Sequence, residues 1–522
     1  MKCVTVALFI VLTTCQLYGQ EKSVSNFKKE NLNWFNKDIE IDKVLGASVD
    51  RTYDSILPNL KVKDTIIVAV IDGGVDINHE DLVGKIWINT KEIPNNGFDD
   101  DGNGFIDDIN GWNFIGNKLG QNLHYENYEY TRLLKDSKYD SILVKAKILY
   151  DSELQRRRQD SVSIYTFEIN YKKAKSVILK KTGVDVKSLK DLSKVNSYTD
   201  QDVIDAKYFL QSKFEMGFTE KDLERRKSRN IEFLKYFLNQ NFNPRGLIGD
   251  DPYNIEDKNY GNNDVKGPRS DHGTSVAGVI SAIRNNSVGI NGVASNVKIM
   301  PLRVIPRGDE RDKDISLAII YAVDNGARII NMSFGRKISS NKEFVDDAVK
   351  YAEKHNVLII HSSGNDGLDL DKNESFPSGN YLDGNKASNW MNVGASGMYL
   401  DKFLPANFSN YGKKNVDVFA PGIDIISLDS SNLYSMKDGT SISAPIVTGV
   451  SALLLSYFPE LSPIELINIL LEGSYKAIKP KRVIIPNSID SKKKAEFITL
   501  SKSGGIVNTY NSFMIAIKKQ KL

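Results

Sequence analysis

The chain has 522 residues, of which 41% are hydrophobic and 26% are charged, and its formal net charge is +3. This is the composition of an ordinary soluble globular protein, and the length suits one large α/β domain that carries an insertion. So small a net charge gives no argument for binding to nucleic acid or to a membrane surface.

The first 19 residues have the pattern of a secretory signal. Lys2 precedes an apolar run, Val4–Leu12, which is too short to span a membrane as a helix. We expect cleavage near Gly19 and a secreted protein, either extracellular or periplasmic. Alternatively, Cys15 and the residues before it resemble a bacterial lipoprotein box. Both cysteines, Cys3 and Cys15, lie in this segment, so a mature chain cut after Gly19 has no disulfide.

Residues 20–64 are mixed and mostly polar, and we expect them to form an arm that packs on the domain that follows. The β-branched run Thr65–Ile71 then predicts a strand buried on both faces of a parallel sheet. Asp72 comes next, and Gly73-Gly74 breaks the strand. Asp72 is therefore expected at the carboxyl end of a strand, where open α/β sheets place their ligands.

An acidic loop follows between Asn95 and Trp112. Oxygen-bearing side chains recur there on alternate residues, with a glycine at the sharp turn, as in the first nine positions of an EF-hand calcium loop. The predicted ligands are Asp99, Asp101, Asn103, the Phe105 carbonyl and Asp107. Asn110 stands where the EF-hand has a glutamate, so another carboxylate, such as Asp108, would have to close the loop. The alternative interpretation is a plain acidic turn.

Residues 117–248 separate Asp72 from the next motif and are too many for a structureless loop inside a domain. Thr199–Asp202 and Thr219–Asp222 resemble capping boxes, with aspartate in place of the usual glutamate. The second of these leads into apolar residues on a roughly helical period. We therefore predict a helical insertion subdomain.

His272 opens a helix of small residues, Asp271–Ile280, and from there helices and strands alternate. We predict helices over 314–324 and 342–355 and strands over 328–332 and 357–362. Such alternation implies a doubly wound, mostly parallel α/β sheet with helices on both faces.

Ser441 lies in the stretch Lys437–Pro445, at the first turn of a long apolar helix that begins after a Gly-Thr turn. This position exposes the hydroxyl and sets the positive end of the helix dipole beside any anion formed there. Gly-Thr-Ser by itself is a common helix start. Asp72, His272 and Ser441 together, each at the kind of element the chemistry requires, indicate an orienting carboxylate, a base and a nucleophile.

With these motifs in place, the chain from Lys63 to about Leu471 resembles the subtilisin-like serine peptidases, the subtilase family. Besides the stretches around Asp72, His272 and Ser441, the matching stretches are Arg328–Gly335, His361–Asn365, Phe408–Gly412 and Ala420–Gly422. The triad order is also that of subtilisin. The resemblance implies a subtilisin-like domain made of residues 65–116 and 249–472, interrupted by the helical insertion 117–248.

The resemblance also implies the role of each residue. Ser441 would attack a peptide carbonyl, His272 would take its proton and pass it to the leaving amine, and Asp72 would orient the imidazole. Asn365 stands where the family has the asparagine that binds the oxyanion, although an Asn-Asp turn is the alternative interpretation. The segment that the family pairs with an extended substrate corresponds to Ser333, Phe334 and Gly335.

Two positions depart from the family pattern. Gly73 stands where a hydroxyl residue is usual, so one hydrogen bond that orients Asp72 would be missing, and Ser441–Pro445 reads Ser-Ile-Ser-Ala-Pro where Ser-Met-Ala-Ser-Pro is commoner. Neither change removes a catalytic atom. We therefore predict a secreted serine endopeptidase that cuts extended protein segments through an acyl-enzyme. The alternatives are a catalytically silent subtilase-like binding protein and an esterase or amidase that uses the same nucleophile.

No cofactor is expected for catalysis, and structural calcium is the one candidate metal. The expected partners are protein or peptide substrates, and we expect a monomer with neither nucleic-acid binding nor a transmembrane segment. The tail, residues 473–522, is rich in lysine. A last hairpin is predicted around Gly504-Gly505, and the sequence assigns the tail no function.

Overall fold

The computed structural model describes residues 21–135, 140–195, 199–476, 480, 482–488 and 492–520. The predicted signal segment 1–19 and both cysteines lie outside the described residues. The described chain divides into two compact units. The core unit contains the described residues of Met1–Asn122, Ile248–Ile305 and Asp312–Leu522, and the insertion unit contains those of Leu123–Leu247 and Pro306–Arg311.

A parallel sheet forms the centre of the core unit. The strands are β1 Ile66–Asp72, β2 Trp112–Asn113, β3 Val297–Arg303, β4 Ile329–Met332, β5 Leu358–Ser362, β6 Trp390–Ser396, β7 Val418–Pro421, β8 Ile425–Asp429, β9 Leu433–Lys437, β10 Val483–Ile484 and β11 Lys494–Ala495. The first seven form one sheet in the order β2-β3-β1-β4-β5-β6-β7, and every neighbouring pair is parallel. β8 and β9, and β10 and β11, form two antiparallel pairs. The predicted fold class, a doubly wound and mostly parallel α/β sheet, is confirmed.

The helices surround this sheet and build the insertion unit. They are α1 Val49–Ser55, α2 Glu129–Leu133, α3 Asp140–Thr182, α4 Leu189–Leu192, α5 Gln201–Glu215, α6 Glu220–Glu232, α7 Arg245–Ile248, α8 Ser270–Ser281, α9 Asp312–Asp324, α10 Lys342–Lys354, α11 Thr440–Tyr457, α12 Pro463–Gly473 and α13 Thr509–Gln520. α9 and α10 agree within two residues with the helices predicted over 314–324 and 342–355. β4 and β5 agree within one residue with the strands predicted over 328–332 and 357–362.

Helix α11 is the most deeply buried helix of the core unit. Every residue of α11 except Ser441 is buried. By length and composition α11 is also the one described helix that could cross a membrane, and 94% of it is buried inside the fold, as expected for a core helix. Its apolar side chains, such as Val447 and Val450, belong to the same hydrophobic cluster as Val68 and Val70 of β1.

The arm, whose described part is residues 21–64, is built into the core unit. Trp34 and Phe35 are fully buried in the main hydrophobic cluster. Leu45 is buried in a second cluster that includes Leu404 and Phe419. Because these side chains leave water completely, the arm contributes to the stability of the fold.

The C-terminal tail differs from its prediction. The antiparallel pair of the tail is formed by β10 and β11, so the hairpin predicted around Gly504-Gly505 is wrong. Gly504 instead makes a left-handed turn with φ of +64°. The buried residues that follow it, Ile506 and Val507, run beside β7, where the Val507 N–H donates to the Phe419 carbonyl over 2.9 Å. Pairing with an existing strand satisfies this backbone without a hairpin partner.

The insertion unit is helical and has its own small core. α3 is 43 residues long and packs against α5 through buried side chains such as Tyr171, Ile178 and Leu210. Thr219 and Asp222 form the predicted capping box at the start of α6. Asp200 caps α5 by accepting N–H bonds from Asp202 and Val203. The capping box predicted at Thr219 is therefore confirmed, whereas the box predicted over Thr199–Asp202 is wrong in detail, because Asp200 and not Thr199 caps α5.

The burial of the arm gives a testable stability difference. Leu45→Ala should lower the free energy of unfolding by about 2–5 kcal/mol, because it opens a cavity in a closed core. Leu382→Ala is the matched control, since Leu382 is 66% exposed and should change stability by no more than about 0.5 kcal/mol. Denaturant unfolding of both variants, in a Ser441→Ala background that prevents self-digestion, makes the comparison. Equal losses would mean that the arm does not stabilise the core unit.

Candidate active site

Asp72 is the last residue of β1, an interior strand of the sheet. β1 lies between β3 and β4, and the Asp72 side chain is only 2% exposed. Its Oδ1 accepts the backbone N–H of Gly73 over 2.7 Å. A glycine cannot donate the side-chain hydrogen bond that the family pattern suggests at this position, but its backbone does donate to the same carboxylate. Asp72 is therefore oriented from its own strand end.

His272 faces this carboxylate from the first turn of α8. Its Nδ1 lies 2.8 Å from Asp72 Oδ2 and 3.0 Å from Oδ1. An ionised carboxylate can only accept, so Nδ1 carries the proton and Nε2 is left as the basic nitrogen. The close approach requires Gly273, because a side chain there would start 2.2 Å from the Gly74 carbonyl oxygen.

Burial and charge act in opposite directions on the His272 imidazole. Burial lowers its pKa, while the negative charge of Asp72 and the hydrogen bond to it raise the pKa. The net result is a pKa above the ordinary histidine value. A histidine with a raised pKa holds a proton more firmly, as a general base must once it has taken one.

Ser441 is the second residue of α11 and the only one in that helix that is not buried. The chain enters the helix through Gly439, whose φ is +149°. A side chain at Gly439 would begin 2.9 Å from Ser441 Oγ. A glycine is therefore needed both for the turn and to keep the space beside the hydroxyl open.

Asn365 follows β5 and is held by the residue before the serine. Its Oδ1 accepts the backbone N–H and the hydroxyl of Thr440, each over 2.9 Å. The amide group is thereby fixed, and a Cβ atom at Gly439 would lie 3.5 Å from Asn365 Nδ2 and 2.9 Å from Ser441 Oγ. The Thr440 hydroxyl in turn accepts the Gly364 N–H over 3.1 Å. The amide donor and the serine hydroxyl thus border one open space.

Thr440 and Asn410 support the site and were not predicted for it. Asn410 donates to the Ser363 carbonyl over 2.7 Å, and its Oδ1 accepts the N–H groups of Asp366 and Leu368. It therefore holds the loop that carries Asn365. The position of Thr440 beside the nucleophile is visible in the sequence, but its bond to Asn365 joins residues 75 positions apart.

The segment Ser333–Gly335 follows β4, the strand between β1 and β5. Ser333 is buried and its hydroxyl accepts from Asn331 Nδ2 over 2.9 Å, whereas Gly335 is exposed. Arg336 pairs with Phe376 through two backbone hydrogen bonds of 2.7 and 2.9 Å. Since β1, β4 and β5 are neighbours, Asp72, this segment and Asn365 all lie at one carboxyl edge of the sheet.

The acidic loop is arranged differently from its prediction. Asp99 and Asp101 lie together with Glu92, and the ligand oxygens of the three are within 4.8 Å of one another. The Asp107 carboxylate lies outside this group and accepts the backbone N–H groups of Asn96 and Gly97. Glu92 stands before the predicted motif, so no spacing rule within the loop could point to it.

The other predicted members of the loop make bonds of their own. The Asn103 Nδ2 donates to Asp108 Oδ2 over 2.9 Å, and the Phe105 ring packs edge-on against Trp112 and Tyr321. Asp108 also accepts the Tyr321 hydroxyl. Asp108 thus holds the loop to the core and lies outside the group formed by Glu92, Asp99 and Asp101.

Comparison with known proteins identifies the family. The subtilase family model matches residues 63–495, so this chain belongs to the subtilase family. It is 38% identical over 205 residues to a thermophilic serine proteinase of Bacillus sp. (strain AK1), covering 39% of this chain and 46% of that protein. It is 32% identical over 198 residues to subtilisin Savinase of Lederbergia lenta, covering 38% of this chain and 67% of that one.

Two further proteins match other shares of the chain. A cell wall-associated protease of Bacillus subtilis (strain 168) is 35% identical over 196 residues, which are 37% of this chain and 20% of that protein. A solved protease structure from Pseudoalteromonas arctica has 28% identity and a TM-score of 0.38, over 47% of this chain and 70% of that one. The chain thus matches less than half the length of several curated relatives.

The pairing of Asp72 with His272 predicts a measurable change in titration. Asp72→Asn removes the negative charge that favours the imidazolium, so the pKa of His272 should fall. The measurement is NMR titration of the histidine ring protons in the Ser441→Ala protein, with Asp54→Asn as a control on an exposed aspartate. An unchanged His272 titration in Asp72→Asn would show that the carboxylate does not act on this imidazole.

Proposed function

We propose that this protein is a secreted serine endopeptidase that hydrolyses peptide bonds in extended protein segments. The observation that carries the proposal is the His272 Nδ1 contact with Asp72 at 2.8 Å, with Ser441 and Asn365 bordering one space. Membership of the subtilase family and the serine proteinases among the relatives support it.

The reaction follows from the protonation states of the site. With Nδ1–H donated to Asp72, His272 Nε2 takes the Ser441 proton as Oγ attacks the carbonyl carbon. Asp72 stabilises the imidazolium that forms. His272 then gives that proton to the leaving amine, and the acyl-enzyme remains on Ser441. Water, deprotonated by the same Nε2, releases the acid product and restores the serine.

The negative charge on the tetrahedral oxygen needs fixed donors. Asn365 Nδ2 is suited to this because its amide oxygen is already committed to Thr440, which leaves the NH₂ group turned toward the site. The backbone N–H of Ser441, at the positive end of α11, is the second donor. Donors that are held before the reaction need no reorganisation when charge develops, so they favour the transition state.

The substrate is proposed to bind as an added strand. Ser333, Phe334 and Gly335 leave the sheet at its carboxyl edge, and Gly335 is exposed there. An extended peptide would pair with this backbone, which gives affinity through main-chain hydrogen bonds rather than through one side chain. This mode favours unfolded or flexible segments of proteins, so we propose proteins and peptides as substrates. Nucleic acid is not proposed as a partner because the net charge is only +3, and the chemistry of the triad needs no cofactor.

The location and assembly of the protein form part of the same proposal. The signal pattern before Gly19 and the cell wall-associated relative support export of this protein to an extracellular or periplasmic site. Anchoring at Cys15 is the alternative. We propose that the protein acts as a monomer. We also propose that it has no transmembrane segment, since α11, the one described helix that is long and apolar enough to span a membrane, is buried as a core helix.

Labelling of the active serine tests the enzymatic proposal. A fluorophosphonate probe should label the mature protein and fail to label Ser441→Ala. Asn365→Ala should lower turnover of a peptide substrate by about 100- to 1000-fold, a magnitude taken from the corresponding asparagine of subtilisin. The matched control is Asn385→Ala on an exposed loop. A folded protein without labelling would favour the silent binding protein, and labelling with turnover of esters but not peptides would favour the esterase.

We also propose a structural calcium ion at the acidic loop, held by Glu92, Asp99 and Asp101. Carboxylate oxygens are the hard ligands that Ca²⁺ prefers, and these three converge within 4.8 Å. The Asn103 and Gly104 N–H groups donate to Asp99 and so hold the loop in a turned conformation. A bound cation would neutralise the repulsion among the three carboxylates and stabilise the loop.

Calcium binding is tested by removing one ligand. Glu92→Gln should weaken calcium binding by about tenfold or more, because a carboxylate ligand is lost. Asp100→Asn removes a carboxylate that lies in the same loop but does not belong to the group of proposed ligands. The calcium affinity of this variant should therefore stay near that of the unmodified protein. Calorimetric titration and the calcium-dependent rise in Tm are the measurements. Equal weakening in both variants, or no binding at about 1 mM calcium, would contradict the site.

A further inference from the structure

The C-terminal tail concentrates the positive charge of the protein. Between Lys476 and Lys494 the sequence has seven lysine or arginine residues and one acidic residue, Asp490, although the whole chain has a net charge of only +3. The rest of the protein is therefore net acidic. The net charge of the whole chain therefore does not reveal this local excess of positive charge.

Part of this charge lines one cleft of about 540 Å³ in the core unit. The lining residues are Lys402, Phe403, Arg482, Ile484, Lys492 and Lys494. Four of the six are cationic. Among the described residues no carboxylate forms an ion pair with any of these four side chains. Asp401, beside Lys402 in sequence, instead accepts the backbone N–H of Phe403 over 2.7 Å.

The walls of this cleft are fixed by the fold. β10 and β11 form one wall, and Val483 of β10 is fully buried in the cluster that contains Leu404. The Ile484 N–H donates to the Lys402 carbonyl over 2.7 Å and so joins the two walls. The cations are therefore held near one another by buried backbone, and they repel one another unless an anion is present.

The chemistry of the cations indicates what kind of anion fits. Three of the four are ammonium groups, which act as point charges and suit phosphate oxygens. Arg482 donates Nη2 to the Lys494 carbonyl over 2.7 Å, which holds its guanidinium group against β11. The Lys402 ammonium lies 5.0 Å from the centre of the half-exposed Phe403 ring, which keeps it over the cleft.

We propose that this cleft, the cationic cleft, binds a ligand that carries two or more phosphate or sulfate groups. A volume of about 540 Å³ is in the range of small-molecule sites. The ligand would balance four positive charges that no described acidic residue balances. The proposal is independent of the peptidase reaction, because it uses no residue of the triad.

The test uses the mature Ser441→Ala protein, which does not digest itself, and sodium tripolyphosphate as the probe. Calorimetric titration in about 0.15 M salt, where surface charges are screened beyond roughly 8 Å, should detect binding. Replacing Lys402, Lys492 and Lys494 by glutamine should weaken the affinity for tripolyphosphate by at least about tenfold, because hydrogen bonds from charged groups to the anion are lost. The control replaces three exposed lysines outside the cleft, Lys61, Lys221 and Lys518, and removes the same charge.

Each outcome is decisive. Loss of binding in the cleft variant but not in the control supports the proposal, whereas equal loss in both, or no binding at about 1 mM probe, overturns it. If the triple variant does not fold, Lys492→Gln on an exposed side chain gives the same comparison. Sedimentation with vesicles of phosphatidylglycerol and phosphatidylcholine, against phosphatidylcholine alone, separates the sources. Binding to the first vesicle only points to lipid phosphates, and binding to tripolyphosphate alone points to a soluble polyanion.

Discussion

The burial of α11 across one face of the parallel sheet is the constraint on which the site depends. Seventeen of its eighteen residues are buried, so neither its position nor its rotation can change without exposing core. Thr448 adds a hydrogen bond of 2.9 Å to Asn331 of β4. This packing fixes the position of Ser441, the one residue of the helix that is not buried, and it places Thr440 within hydrogen-bond distance of Asn365. A serine side chain on a mobile loop would not be held in one position in this way.

Around that helix, the hydrogen bonds that each polar group can donate or accept fix the orientation of the site's side chains. Asp72 is buried and accepts from Gly73 and His272, which settles the proton on Nδ1 and leaves Nε2 basic. Asn365 accepts twice from Thr440, which leaves its NH₂ group as the donor. Asp72 is buried and Asn365 is exposed, but in each residue the hydrogen bonds to neighbouring groups fix the orientation of the side chain.

The two ends of the described chain complete the core unit together. Thr509 of the tail donates its backbone N–H and its hydroxyl to the Ala47 carbonyl of the arm, over 2.8 and 2.7 Å. Asn508 donates to the Ser48 hydroxyl over 2.7 Å. The tail thus has a structural role where α13 begins, and the cationic cleft that we propose as a binding site lies at the pair β10 and β11.

The sequence by itself predicted a mostly parallel α/β sheet, the strands β1, β4 and β5, the helices α9 and α10, and the candidate triad, because burial periodicity and strand ends are local patterns. It also indicated Asn365 and the capping of α6. Only the tertiary structure decided which groups meet across long separations. Thr440 holds Asn365, and Lys402 lines the same cleft as Lys494, while the hairpin expected at Gly504-Gly505 is replaced by pairing beside β7. These contacts depend on packing between distant segments, and no local pattern carries that information.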